Sequence, residues 1–408
     1  MYRKFSADYI FNGQHLLDPG NVLITTSEGR VVDVVPLPEA GDGIQVLNGL
    51  LCPGFINAHC HLELSHLKGK IPEQTGLVDF ILPLMRDRGA DRVLIQSAIA
   101  DAEATMLEAG IVAVGDICNT ADTLSRKRAG KLRYHNFLEA SGFVPAGAAA
   151  RFNSMLQLYH QFRELQPATS LVPHAPYSVC QALLEMIDEL ACPVTTFHNQ
   201  EVPAENEFFQ TGTGELLRLY RELNIDISFF HPPGIRSLAA FLPSLSRFES
   251  LILVHNVCTG REELEGLANG VDQSLIVNDK SSLNFEQSSF NTSLISLCLC
   301  PNANLYISGL LPDIPLLLQS GLNIVLGTDS LASNHQLSVL EEMKTLQRHF
   351  PALETARLLQ WATINGARAL QMDSQLGSFE TGKQPGVVLI SNIADGCFTP
   401  LSDAERVL

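Results

Sequence analysis

Eight short, nearly continuous apolar runs, each closing on polar residues, constrain this chain more than any other feature. They read GFINAHCH, IVAVGDICN, YHNFLEASG, SLVPHAPYS, PVTTFHNQE, LILVHNV, LCLCPNAN and NIVLGTDS. None alternates polar with apolar residues, so each reads as a strand buried on both faces, as in a parallel sheet. Helical patterns such as SVLEEMKTLQRHF separate most of them. Strand and helix repeated in this way predict an α/β fold, a (β/α)8 TIM-like barrel.

The two chain ends follow another rhythm. ADYIFNG, HLLDPGNVLITTSEG and RVVDVVPL near the start are short, rich in Val and Ile, and punctuated by Gly, Pro and Asn. GKQPGVVLISNI and ERVL repeat that style after a helical stretch at 354–371. Both ends therefore predict strands of one small β-sandwich domain, residues 1–52 plus 375–408, beside a barrel of residues 53–374. The stretch 269–290 fits neither pattern and reads as an irregular excursion or an extra hairpin.

Composition narrows the function. A formal charge of −17 excludes a surface built for nucleic acid or anionic lipid, both of which need basic patches. The nine cysteines are an odd number, and most lie inside apolar runs; buried reduced thiols, not a disulfide framework, are the expectation. No run approaches the ~20 apolar residues of a membrane span, and the start lacks the apolar core of a signal peptide. The reading is a soluble, cytoplasmic protein acting on a small molecule, with no nucleic-acid or membrane partner and a homodimer as the default assembly.

In a barrel of this kind the C-terminal strand ends build the active site. The residues there are His59 and His61, Asp116, Glu139, His174, His198 with Glu201, His255, Asn302 and Asn304, and Asp329. Residues i and i+2 of a strand share a face, so His59 and His61 can reach one ion while Cys60 points away. A bare His-x-His pair is more often structural, and a lone strand-end Asp is more often a cap or turn residue. His198 adds a third nitrogen, Asp329 an oxygen, and Glu201 a carboxylate three residues past His198. Three imidazoles and a carboxylate converging at strand ends point to a metal centre.

These segments resemble the amidohydrolase superfamily, in the branch of cytosine deaminase, triazine hydrolases and adenosine-type aminohydrolases such as the methylthioadenosine/adenosylhomocysteine deaminases. PGFINAHCHLELS is similar to that branch's opening signature, and LVPHAPYSV, FHNQE, LVHNV, CPNANLYI and LGTDS to its motifs at strands 4 to 8. ATINGARALQ and GSFETGKQPGVVLI resemble the family's ending, so the likeness runs essentially end to end. HNQE stands where HLAE is more familiar.

The resemblance implies roles. His59, His61, His198 and Asp329 would hold one divalent metal ion, Zn2+ first and Fe2+ or Mn2+ as alternatives. Glu201 would protonate a ring nitrogen and shuttle a proton to the departing group. His255 would orient the attacking water, and Asp329 would accept its proton. His174, Glu63, Glu139 and Asn304 are the expected substrate contacts, Glu63 equally a support for the first strand. Dinuclear relatives carry a bridging lysine at the end of strand 4; no lysine lies between Lys131 and Lys280, so one metal is expected. The function implied is hydrolysis of a carbon–nitrogen bond other than a peptide bond, by deamination of an aminated heteroaromatic ring. An adenine nucleoside derivative is the expected substrate, aminodeoxyfutalosine a specific candidate. The alternatives are opening of a cyclic amide or imidazolone, and triazine-type dechlorination or dealkylamination. A non-catalytic barrel would have lost ligands, and here none is missing.

Overall fold

The computed structural model describes residues 2–268 and 295–408; the 269–290 stretch lies outside them. Fourteen strands are described: β1 Tyr2–Ile10, β2 Asn21–Thr26, β3 Val31–Pro36, β4 Ile44–Pro53, β5 Phe55–Cys60, β6 Ile111–Cys118, β7 Arg133–Ala140, β8 Thr169–Pro173, β9 Val194–Asn199, β10 Ser250–His255, β11 Ile295–Leu299, β12 Asn323–Leu326, β13 Val387–Ser391 and β14 Asp403–Arg406.

Strands β5 to β12 are the eight apolar runs. They form two four-stranded parallel sheets, ordered β5-β6-β7-β8 and β12-β11-β10-β9. The sheets touch at both edges near their C-terminal ends. On one side the amides of Thr328 and Asp329 donate to the carbonyl of His59 at 3.0 and 3.1 Å. On the other the amide of His198 donates to the carbonyl of His174 at 2.8 Å. The missing alternation now has its cause: one side of the strands packs on a cluster that includes Ile56, Ala113, Ile117, Phe137, Ile252 and Val325. The other packs against helices through Val114, Leu171, Phe197, Leu251, Leu253 and Leu297.

The chain ends do share a sheet. Its order is β14-β13-β4-β1-β2-β3; β13 pairs antiparallel with β4, Leu389 opposite Leu51, and β4 runs parallel to β1. Phe5, Leu23, Val31, Leu51, Phe379, Val387 and Leu389 form one apolar cluster drawn from both termini. The two parts meet at Gly54, where a Cβ would lie 2.3 Å from Val112 Cγ1 and 2.7 Å from the carbonyl oxygen of Pro385. Only glycine fits that crossing.

One predicted placement changes. Asn302 and Asn304 do not close a strand: β11 ends at Leu299, and both lie on the helix Pro301–Ile307. Pro301 at its first turn starts that helix, since its ring presets the backbone angle and its missing N–H needs no partner. All nine cysteines are free, seven of them buried. Among the described residues, no helix is long and apolar enough to cross a membrane.

Candidate active site

Period-2 geometry puts His59 and His61 on the same side of β5. Asp329 follows β12 with its backbone at φ 55°, a left-handed conformation that turns the carboxylate back toward them. Gly327 makes this approach possible. A Cβ there would stand 2.8 Å from His59 Cβ and 2.9 Å from His59 O and Cys298 Sγ. Asp329 Oδ1 lies 3.4 Å from His61 Nε2 and 3.7 Å from His59 Nε2. His198, at the end of β9, brings its Nε2 to 3.3 Å from that of His61. One ligand atom from each of the four residues lies within 4.8 Å of the others, and all four side chains are buried.

The donor set fits a divalent ion. Neither ring nitrogen of His59 has a hydrogen-bond partner, although both are buried; polar atoms so placed are costly unless something satisfies them. Nδ1 of His198 faces the carbonyl oxygen of His174 at 2.9 Å. Donating its proton there fixes the tautomer that leaves Nε2 as a lone pair. Two nitrogens each about 2.05 Å from a tetrahedral zinc ion stand about 3.3 Å apart, the separation seen between His61 and His198. Burial lowers the His61 pKa well below its ordinary value and that of His198 to about 4, so both rings are neutral at neutral pH. Burial would raise the Asp329 carboxyl, but the surrounding His59, His61 and His255 hold it well below the usual range.

Two groups beside the ligands can move protons. Glu201, three residues past His198, is 4% exposed. Burial, then the negative charges of Asp329 and Glu205, push its pKa well up, which favours the acid form that a proton donor needs. His255, at φ 76° on the end of β10, sets Nε2 3.6 Å from Glu201 Oε1. Burial also keeps its ring neutral. Asn304 Nδ2 lies 3.0 Å from His255 Nδ1, and its donation there leaves the ring proton on Nε2, facing Glu201.

Three of these four candidate ligands, His61, His198 and Asp329, line a cavity of about 270 Å³. His174 and Glu139 line it together with His61, His198, Glu201, His255 and Asp329. Glu63 and Asn304 do not. Asn304 stands behind His255, while Glu63 has both oxygens occupied: Oε1 accepts from Arg88 at 3.1 Å, and Oε2 from the amides of Asn119 and Thr120 and the Thr120 hydroxyl. That carboxylate holds the loop after β6 and leaves Arg88, which does line the cavity, in place. Asp116 faces the helices on the other side of β6 and pairs with Lys127. Glu139, His174 and His198 form a second grouping of possible ligands, but Nδ1 of His198 is committed to the His174 carbonyl, so it lacks a third free lone pair.

Three supports were not singled out by the sequence reading. Asn57 accepts from the Thr328 amide at 3.1 Å and donates to the Thr328 hydroxyl at 2.7 Å, tying β5 to the turn that carries Asp329. Ser333 donates to Asp329 Oδ2 at 2.6 Å. Gly327 admits His59. The glycine inside LGTDS and the asparagine inside NAHCH were the available signals, both next to predicted ligands.

A cluster of three imidazoles and a carboxylate beside a buried glutamic acid can hold a Lewis-acidic ion and protonate a substrate atom above it. The family model described as the amidohydrolase family matches residues 50–403. An adenosine deaminase of Helicobacter pylori is 26% identical over 349 residues, covering 83% of this chain and 78% of that one. A 5-methylthioadenosine/S-adenosylhomocysteine deaminase of Halalkalibacterium halodurans is 26% identical over 423 residues, covering 94% of this chain and 81% of the relative. Among solved structures, Helicobacter pylori aminofutalosine deaminase in complex with methylthio-coformycin superimposes with a TM-score of 0.81 at 22% identity, over 100% of both chains.

Proposed function

Because the chain belongs to the amidohydrolase family, we propose that it is a metal-dependent aminohydrolase that removes the amino group of an aminated heteroaromatic ring, an adenine nucleoside derivative in particular. The observation that carries this reading is the convergence of His59, His61, His198 and Asp329 within 4.8 Å, with the buried Glu201 lining the same cavity. We read the two four-stranded sheets as halves of one eight-stranded barrel, residues 53–374. The six-stranded sheet with its shared apolar cluster is read as the small sandwich domain, residues 1–52 and 375–408.

The four ligands would hold one divalent ion, zinc by the fit of the nitrogen separation. When bound there, such an ion lowers the pKa of a coordinated water toward ~7 and supplies a nucleophile at neutral pH. Glu201 delivers its proton to the ring nitrogen next to the carbon under attack; of the two protons that the attacking water brings, one is relayed through the ionised Glu201 to the departing amine and the other restores its acid form. His255, with its proton on Nε2, orients the nucleophile, and Asp329 takes the proton that the nucleophile sheds. His174 and Glu139, on the cavity wall, contact the substrate. Leu77, Phe80, Ile81, Leu84 and Phe143 line the other side and suit an apolar or aromatic substituent on the nucleoside, as in methylthioadenosine or aminodeoxyfutalosine.

Ammonia release from adenosine, methylthioadenosine, adenosylhomocysteine, aminodeoxyfutalosine, guanine and cytosine, run beside a chlorinated triazine, tests the reading. Ammonia from an adenine nucleoside and none in a Glu201→Gln control is the expected result. Chloride from the triazine with no ammonia from any amine would replace deamination with the dehalogenating chemistry.

A further inference from the structure

Lys127 is the most unusual charged residue outside the cavity. It is 1% exposed, its partner Asp116 is 0% exposed, and Nζ lies 2.5 Å from Asp116 Oδ2. The ammonium also donates to Cys118 Sγ at 3.1 Å and sits 4.9 and 5.0 Å from the ring centres of Tyr134 and Phe162. The pair lies between β6 and the outer helices, where Cys118 packs with Leu138 and Phe162, and neither residue lines the cavity. Taking two charges fully out of water is expensive, and apolar residues of the same volume often serve stability as well or better. Packing alone does not account for it.

The other oxygen of Asp116 shows what the pair does. Oδ1 accepts the backbone N–H of Leu62 at 2.9 Å. Leu62 follows the ligand His61 directly and opens the 3-10 helix Leu62–Leu67, where the first amides have no partner within the helix. Asp116 stands in register with Cys60, between the two histidines of the metal strand. The carboxylate therefore grips β5 at the point where the chain turns out of the strand, with Lys127 compensating its charge.

We propose that Asp116 and Lys127 are a positioning pair for the metal centre, fixing the backbone at Leu62 so that His61 is presented to the ion in a single orientation. This inference rests on the metal-dependent reading above. Outer partners of this kind typically set metal affinity by 10- to 100-fold.

Two double variants of the full chain separate the grip from the charge. Asp116→Asn/Lys127→Met keeps an oxygen for the Leu62 amide; Asp116→Leu/Lys127→Met removes it. Zinc dissociation constants are measured by competition with a chromophoric chelator, well below each variant's unfolding temperature. The first variant is expected to bind zinc within about threefold of the native chain, the second ~10- to 100-fold more weakly. Equal zinc affinity in the two variants overturns the proposal. No zinc binding by the native chain overturns the metal reading itself, a different result. Hydrogen exchange on the unaltered, metal-free protein gives a check that needs no variant: the Leu62 amide is expected to be protected, and exchange at the rate of an unstructured peptide also overturns the proposal.

Discussion

Nε2 of His61, directly past the end of β5, and Nε2 of His198, on β9, face each other at 3.3 Å across two different sheets. His198 spends its other nitrogen on the His174 carbonyl, so the contact is between two neutral rings turned toward the same point. A shared cation would fit that geometry, and Asp329 Oδ1, 3.4 Å from the same His61 nitrogen, would supply negative charge beside it.

Replacing His198 with Asn takes one ligand away and leaves the fold able to close. Zinc binding is expected to weaken by at least ~100-fold, with ammonia release lost in proportion. Metal analysis after dialysis checks it; a variant that retains one zinc per chain would remove His198 from the ligand set.

Glu201→Gln keeps the shape of the side chain and removes its proton chemistry. A drop in kcat of ~10² to 10⁴ is expected with zinc content unchanged. Steady-state kinetics on metal-analysed protein measure this, and a drop smaller than tenfold would assign the proton transfer elsewhere.

Gly327→Ala tests the close approach behind the site. The new methyl would meet His59 Cβ at 2.8 Å and Cys298 Sγ at 2.9 Å. Overpacking of that kind costs about 1–3 kcal/mol, read as a shift in the urea midpoint. Because His59 must move, zinc affinity falls with stability; unchanged values of both would show that the backbone yields freely there.

Glu342 carries a pH signature separate from the ligands. It is fully buried, accepts from the Asn302 amide and the Asn334 side chain, and burial raises its pKa to about 8 from an ordinary 4.5. The folded chain therefore holds a proton that the unfolded chain gives up. The stability this group contributes is fully present below pH 4.5 and is lost as pH rises toward about 8, at most about 1.4 kcal/mol per pH unit. Glu342→Gln is expected to gain on the native chain across that window in chemical denaturation at stepped pH. A constant difference from pH 5 to 8 would show that Glu342 is already ionised when folded.

Much of this was legible because parallel strands buried on both faces lose the polar alternation that hides other strands, so the polar residue ending each run stands out. His59, His61, His198, His255 and Asp329 were readable on that ground. What was not readable depends on direction and on distant partners. Asp116 ends its run as the histidines end theirs, yet it points outward, because a strand's facing flips with each residue and nothing local fixes the phase. Glu63 is saturated by a loop some 56 residues away in sequence, a pairing that only the fold creates. Asn304 sits on a helix because Pro301 ends the strand reading early, and from there it reaches His255 instead of the cavity. At the chain ends, the shared sheet was foreseeable from the repeated strand style; its six-strand order was not, since β4 pairs with strands from opposite termini.

The most direct test of the central claim is activity against metal occupancy. The protein is stripped with a chelator, reloaded with zinc in steps, and assayed for ammonia release from a 5′-substituted adenine nucleoside. Activity is expected to be absent in the stripped chain and to rise linearly to a plateau at one zinc per chain. Full activity in protein shown to be free of metal would contradict the account.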